Sequence, residues 1–239
     1  MDQIKTIVQD LMQQARTLWK YLLLYFYLPV FIVFLTAVVI TKINPAIEPE
    51  HLFRDITALA EIPFYTGFVS QLGALLWAAS VTSCFLALFA IRKFNSGSPQ
   101  CRRFLLHAGL FSTFLMLDDM FLFHEEIAPT YLLMGQKEVY LAYFLVALAF
   151  LYFNRHEILS SEYLLLVIAL AAFGLSIFLD VIADNFFEEI ESSLFETYEA
   201  FSEDGLKFIG IATWLAFYLR YIHNIFVPVF ERFKTEQKS

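Results

Sequence analysis

Residues 104–126 read FLLHAGLFSTFLMLDDMFLFHEE. Apart from His107, the first fourteen positions carry no ionisable side chain; Asp118, Asp119, His124, Glu125 and Glu126 then arrive within the last nine. A helix needs roughly 20 apolar residues to cross the hydrocarbon core of a bilayer. The stretch therefore reads as a membrane span with carboxylates gathered at one end.

Working outward from it, five more segments have the same character, so the candidate spans are about 21–41, 64–91, 104–125, 138–153, 163–184 and 205–227. Composition agrees. Of 239 residues, 59% are hydrophobic, 18% aromatic and only 17% charged, with a mean hydropathy of +0.62. A soluble domain carries charge on about a quarter of its residues. A soluble enzyme, a disordered chain and a nucleic-acid binder are excluded on these grounds. The 28 Phe and 12 Tyr suit lipid-facing and interfacial surfaces. Cys84 and Cys101 form neither a disulfide framework nor a metal spacing.

Residues 1–20 lack the apolar region of a signal peptide. Ile4, Val8, Leu11, Ala15 and Leu18 recur there at helical spacing between charged residues, which predicts an amphipathic helix at the membrane interface. With the N-terminus cytoplasmic, the inner segments hold twelve basic residues: Lys5, Arg16, Lys20, Arg92, Lys93, Arg102, Arg103, Arg155, Arg220, Arg232, Lys234 and Lys238. The outer segments hold three, Lys42, Arg54 and Lys137. That asymmetry predicts an all-α, polytopic integral membrane protein with six transmembrane helices and both termini cytoplasmic, residues 228–239 being a cytoplasmic tail. Basic inner loops fit a bacterial plasma (inner) membrane. Pro29 predicts a kink in the first span, and Gly67, Ser70, Gly73 and Trp77 a helix-packing stripe on the second.

Under this topology eighteen of the 24 acidic residues fall on the outer side or in outer helix halves. Loop acids are a solvated face; acids inside spans are not. Asp118 lies seven residues before Glu125 and hence about 10 Å deeper, and Asp180 occupies a similar depth on the fifth span. A carboxylate at that depth must face a bundle interior or a wet cavity. Helical spacing aligns Asp118 with Glu125, and Ser112 with Asp119 and Glu126. Ser176, Asp180 and Asp184 form a stripe on the fifth span, and Glu199, Glu203 and Lys207 one on the sixth, where Gly205 and Gly210 permit close approach. Asp204 opens that span. Lys207 is expected to pair with Glu203 or Asp180. Residues 185–204 place Phe187, Ile190, Leu194, Tyr198 and Phe201 opposite glutamates, which predicts an acidic amphipathic outer segment over the bundle.

So many carboxylates in one site call for protonation or for cations. Asp118, Asp119, His124, Asp180 and Asp184 are the candidate ligands of a divalent metal cation, Mg, Mn, Ca or Zn. Glu125 or Glu203 would serve as general base and Lys207 as an anion stabiliser. Ser112, Ser176, Glu126, Glu199 and Asp204 complete the expected pocket. Asp180-x3-Asp184 resembles the shorter of the two Asp-rich motifs of membrane prenyltransferases, but Asp118-Asp119 lacks the spacing of the longer one. A zinc triad like that of alkaline ceramidases cannot be assembled, because His107 and His223 lie at the inner helix ends. The expected function is a metal-dependent hydrolase or transferase acting on a lipid or lipid-linked substrate. A cation channel or transporter with an acidic vestibule and a non-catalytic scaffold or sensor are the alternatives. Membrane lipids, with a homo-oligomer possible and no nucleic acid, are the expected partners.

Overall fold

The computed structural model describes residues 5, 9, 12, 13, 16, 18–20, 23–44, 47, 52, 56–63, 65–186 and 193–236. Among them the structure is helical, without strands. The chain divides into two compact units, residues 1–66 and 67–239.

In the first unit a π-helical turn, Leu23–Tyr27, leads into α1 (Leu28–Ile43). Pro29 falls in the first turn of α1, directly after the π-helical turn. Thr36 and Thr41 donate their hydroxyls to the carbonyls of Ile32 and Val38 at 2.8 and 2.9 Å, so neither is left without a partner on an apolar helix. The predicted helix over 1–20 lies mostly outside the described residues.

The second unit is built from α2 (Phe68–Lys93), α3 (Pro99–Phe121), α4 (Gln136–Leu159), α5 (Leu164–Phe186) and α6 (Ser193–Glu236). Three helical segments among the described residues, Phe68–Lys93, Pro99–Phe121 and Glu138–Leu159, are long and apolar enough to cross a membrane. α2 packs along α3, α5 along α6, and α2 along α6, while α4 rests on α3. Among the described residues, no Cα of α4 comes within 8 Å of one on α5.

Close contact between neighbours depends on glycine. A methyl group at Gly210 of α6 would stand 2.6 Å from the Phe173 ring of α5, and one at Gly109 of α3 would stand 2.9 Å from the Phe85 ring of α2. Gly205, also expected to allow close approach, faces open space. Ser98 starts α3 by accepting the Cys101 N–H at 3.0 Å, with Pro99 in the first turn. The core between the helices is aromatic. Phe104, Trp214, Phe217 and Tyr218 are fully buried, and Trp214 meets Tyr218 edge-on at 5.4 Å.

Three boundaries differ from expectation. α3 stops at Phe121 because Leu122 turns left-handed (φ 50°, ψ 44°), and residues 123–127 make a π-helical turn. The alignments of Asp118 with Glu125 and of Asp119 with Glu126, which assumed an unbroken helix, are thereby lost. α4 is longer than the predicted 138–153, since its polar last turns find partners. His107 Nδ1 donates to Asn154 Oδ1 at 3.1 Å, the Asn154 amide donates to the Phe150 carbonyl at 2.7 Å, and Tyr221 donates to Glu157 at 2.7 Å. Finally, residues 193–204 and 228–236 belong to α6, a single 44-residue helix containing Pro228. No separate outer helix stands over 193–204, and most of the predicted tail is helical. Residues 187–192 lie outside the described residues.

Candidate functional site

α3 carries Asp118 and Asp119 in its last turn, and the break at Leu122 decides what they meet. By reversing the chain it returns His124 to the helix end. The His124 backbone N–H donates to Asp118 Oδ1 at 3.1 Å, and the ring Nδ1 lies 3.0 and 2.9 Å from Asp118 Oδ1 and Oδ2. From α4, the Tyr143 hydroxyl donates to Asp118 Oδ1 at 2.6 Å. Because a carboxylate only accepts, Nδ1 must carry the proton in this pair, which leaves proton exchange with any ligand to Nε2.

Asp119 points to the other side. Its Oδ1 receives the Lys207 ammonium of α6 at 2.6 Å, and its side chain is 7% exposed against 33% for Lys207. This ion pair runs across to α3; the side chains of Glu203 and Asp180, the partners expected for Lys207, lie outside the described residues. Intrahelical spacing cannot register a neighbour on another helix.

These groups close one end of a cavity of about 400 Å³, within the range of pockets that take a small organic ligand. Asp118, Asp119, His124, Tyr140, Tyr143, Ser176 and Lys207 line it, and the rest of its lining among the described residues is apolar apart from Trp77 and Trp214. Trp77 stacks on Phe173 with centroids 5.8 Å apart and meets Trp214 at 6.1 Å. Phe111 meets Trp214 at 5.8 Å. The sides are Phe144, Leu148 and Leu151 of α4 and Leu170 and Ile177 of α5. Phe144, Leu148 and Ile177 are also exposed on the outside of the bundle. The cavity therefore runs to the surface between α4 and α5, the two neighbours whose backbones stay apart.

Of the residues expected in a pocket, Asp118, Asp119, His124, Ser176 and Lys207 are brought together. Asp204 is exposed and lines a second recess of about 20 Å³, shared with Asp119 and Lys207 and bounded by Ser70 and Gly73 of α2. Ser112 belongs elsewhere: it is fully buried and accepts the Trp214 indole N–H at 2.9 Å. Glu126 is exposed. The side chains of Glu125, Asp180, Asp184, Glu199 and Glu203 lie outside the described residues. Among those described, no three His, Cys, Asp or Glu side chains come together as a metal site. Two lining residues, Tyr140 and Tyr143, were missed. Their spacing of three at the start of an apolar helix, each a ring with a polar tip, was the available signal.

A family model described as a domain of unknown function, DUF8692, matches residues 27–221. The chain belongs to that family. The match takes in α1 and every lining residue of the cavity. No curated protein and no solved structure matches the chain.

Proposed function

We propose that this DUF8692 member is a multi-pass integral membrane protein that admits a lipid or lipid-linked amphiphile between α4 and α5 and acts on it as a hydrolase or transferase. The carrying observation is the shape of the cavity's chemistry: a long aromatic and aliphatic wall, a polar cluster confined to one end, and an apolar mouth between two helices. A hydrocarbon chain lies along the wall and its head group reaches Asp118, Asp119, His124 and Lys207. In this reading His124 takes the general-base role that the sequence suggested for Glu125 or Glu203. Asp118 holds the imidazole by Nδ1, Tyr143 and the His124 N–H hold Asp118, and Nε2 withdraws a proton from water or an alcohol.

Six spans with both termini cytoplasmic, in a bacterial inner membrane, remain part of the proposal. It is supported by Arg92, Lys93, Arg102, Arg103 and Arg155 lying at the helix ends opposite to Asp118 and His124. The aromatic layer of Trp77, Phe111, Phe173 and Trp214 beneath the polar end favours a binding cavity over an ion path through the bundle.

Turnover of lipid esters, amides and phosphodiesters in mixed micelles, by the protein and by its His124→Gln and Asp118→Asn variants, tests the chemistry. Loss of activity in both variants with ligand binding retained is expected. Full activity in both removes the enzyme reading. A divalent cation on Asp180 and Asp184 with Asp118 or Asp119 is a separate proposal, motivated by Asp180 lying one helical turn beyond the cavity-lining Ser176. Elemental analysis of the purified protein and of Asp180→Asn tests it, and absence of stoichiometric metal from the unsubstituted protein removes it.

A further inference from the structure

We propose that the cavity selects an amphiphile whose head group donates hydrogen bonds and carries no negative charge, an alcohol or an amine, and discriminates against phosphate. This rests on the amphiphile reading above and narrows it. Lys207, taken by itself, invites an anion. The structure commits its ammonium to Asp119 at 2.6 Å, on a carboxylate that is almost wholly buried. The ionisable side chains that line the cavity among the described residues, tyrosines aside, are Asp118, Asp119, His124 and Lys207. Their charges sum to −1 with a neutral imidazole and to 0 with an imidazolium. A phosphate would bring further negative charge beside two carboxylates, against walls too apolar to screen it.

Hydrogen-bonding capacity points the same way. Asp118 already receives the Tyr143 hydroxyl and both His124 donors, and Asp119 receives Lys207 through Oδ1. Asp119 Oδ2 lies toward α2, 3.9 Å from where a methyl group on Gly73 would stand. The two carboxylates thus offer the polar end acceptors alone, which a hydroxyl or an ammonium can meet with a donor and a phosphodiester cannot.

The test uses the full chain in detergent with Trp19→Phe, so that all indole emission comes from Trp77 and Trp214, both cavity-lining. It is titrated with a monoacylglycerol, an alkylamine and an alkyl phosphate of equal chain length. The alcohol and the amine are expected to bind at least about tenfold more tightly than the phosphate. Equal or tighter binding of the phosphate overturns the selectivity while leaving the amphiphile cavity standing. No saturable binding by any of the three overturns both. Asp119→Asn removes one negative charge beside Lys207 and is expected to raise alkyl phosphate affinity by about tenfold or more. An unchanged ratio in that variant overturns the role given to the Lys207–Asp119 pair, and the titration of the unsubstituted Asp119 protein stands whether or not the variant folds.

Discussion

Lys207→Met leaves the Asp119 carboxylate buried without its ammonium. Removing one partner of a fully buried ion pair costs about 3–5 kcal/mol, because the surviving charge has lost its water and found nothing in exchange. Here Asp119 is 7% exposed but Lys207 is 33% exposed, so water already screens part of the attraction and about 2 kcal/mol is expected. The reverse change, Asp119→Asn, strands the more exposed group and is expected to cost less, about 1 kcal/mol. The double variant Lys207→Met/Asp119→Asn removes both charges and is expected within about 1 kcal/mol of the original protein, a coupling of about 2 kcal/mol. Unfolding in mixed micelles titrated with SDS measures all four proteins. Additive costs, or a costlier Asp119→Asn, would refute the reasoning, since the ordering follows only from which of the two groups is buried.

Tyr143→Phe removes the 2.6 Å hydrogen bond to Asp118 and is expected to cost about 1–2 kcal/mol in the same titration; no change would mean that the bond contributes nothing net. Gly210→Ala puts a methyl group 2.6 Å from the Phe173 ring, and a loss of about 1–3 kcal/mol is expected unless α5 and α6 separate at no cost. In the loop between α4 and α5, the Glu162 carboxyl is held at about 2, below its ordinary 4.5, by the Arg220 guanidinium and then the Asn224 amide. A depressed folded-state value stabilises above the unfolded one, so the contribution is whole above pH 4.5 and lost as the pH falls toward 2. Glu162→Gln should flatten that acid limb of the stability profile, and an identical limb in the variant would assign it to other carboxylates.

Much of the architecture was legible because hydrophobicity is a local property. An apolar run long enough to cross a bilayer announces a helix wherever it sits, so α2 and α5 appear close to their expected bounds. Partner-dependent features were not legible. α4 outran its apolar stretch because Asn154 and Glu157 found His107 and Tyr221. Leu122 has no turn chemistry and good helix propensity, yet it takes a left-handed conformation that costs about 1–2 kcal/mol for a residue with a side chain. The two hydrogen-bonding groups that His124 then brings to Asp118 offset that cost.

The candidate site divides in the same way. Residue identities alone pointed to Asp118, Asp119, His124, Ser176 and Lys207 as facing one polar hollow, since a charge deep in an apolar run must find a polar interior. Which side chain meets which was decided by the packing of α3 against α4 and α6. Periodicity records the face of a residue's own helix and carries no information about the helix opposite. Asp118 and Asp119 are neighbours in the chain, roughly 100° apart on the helix wheel, and so answer to different partners. One orients an imidazole and the other neutralises an ammonium, a division of roles that only the assembled bundle determines.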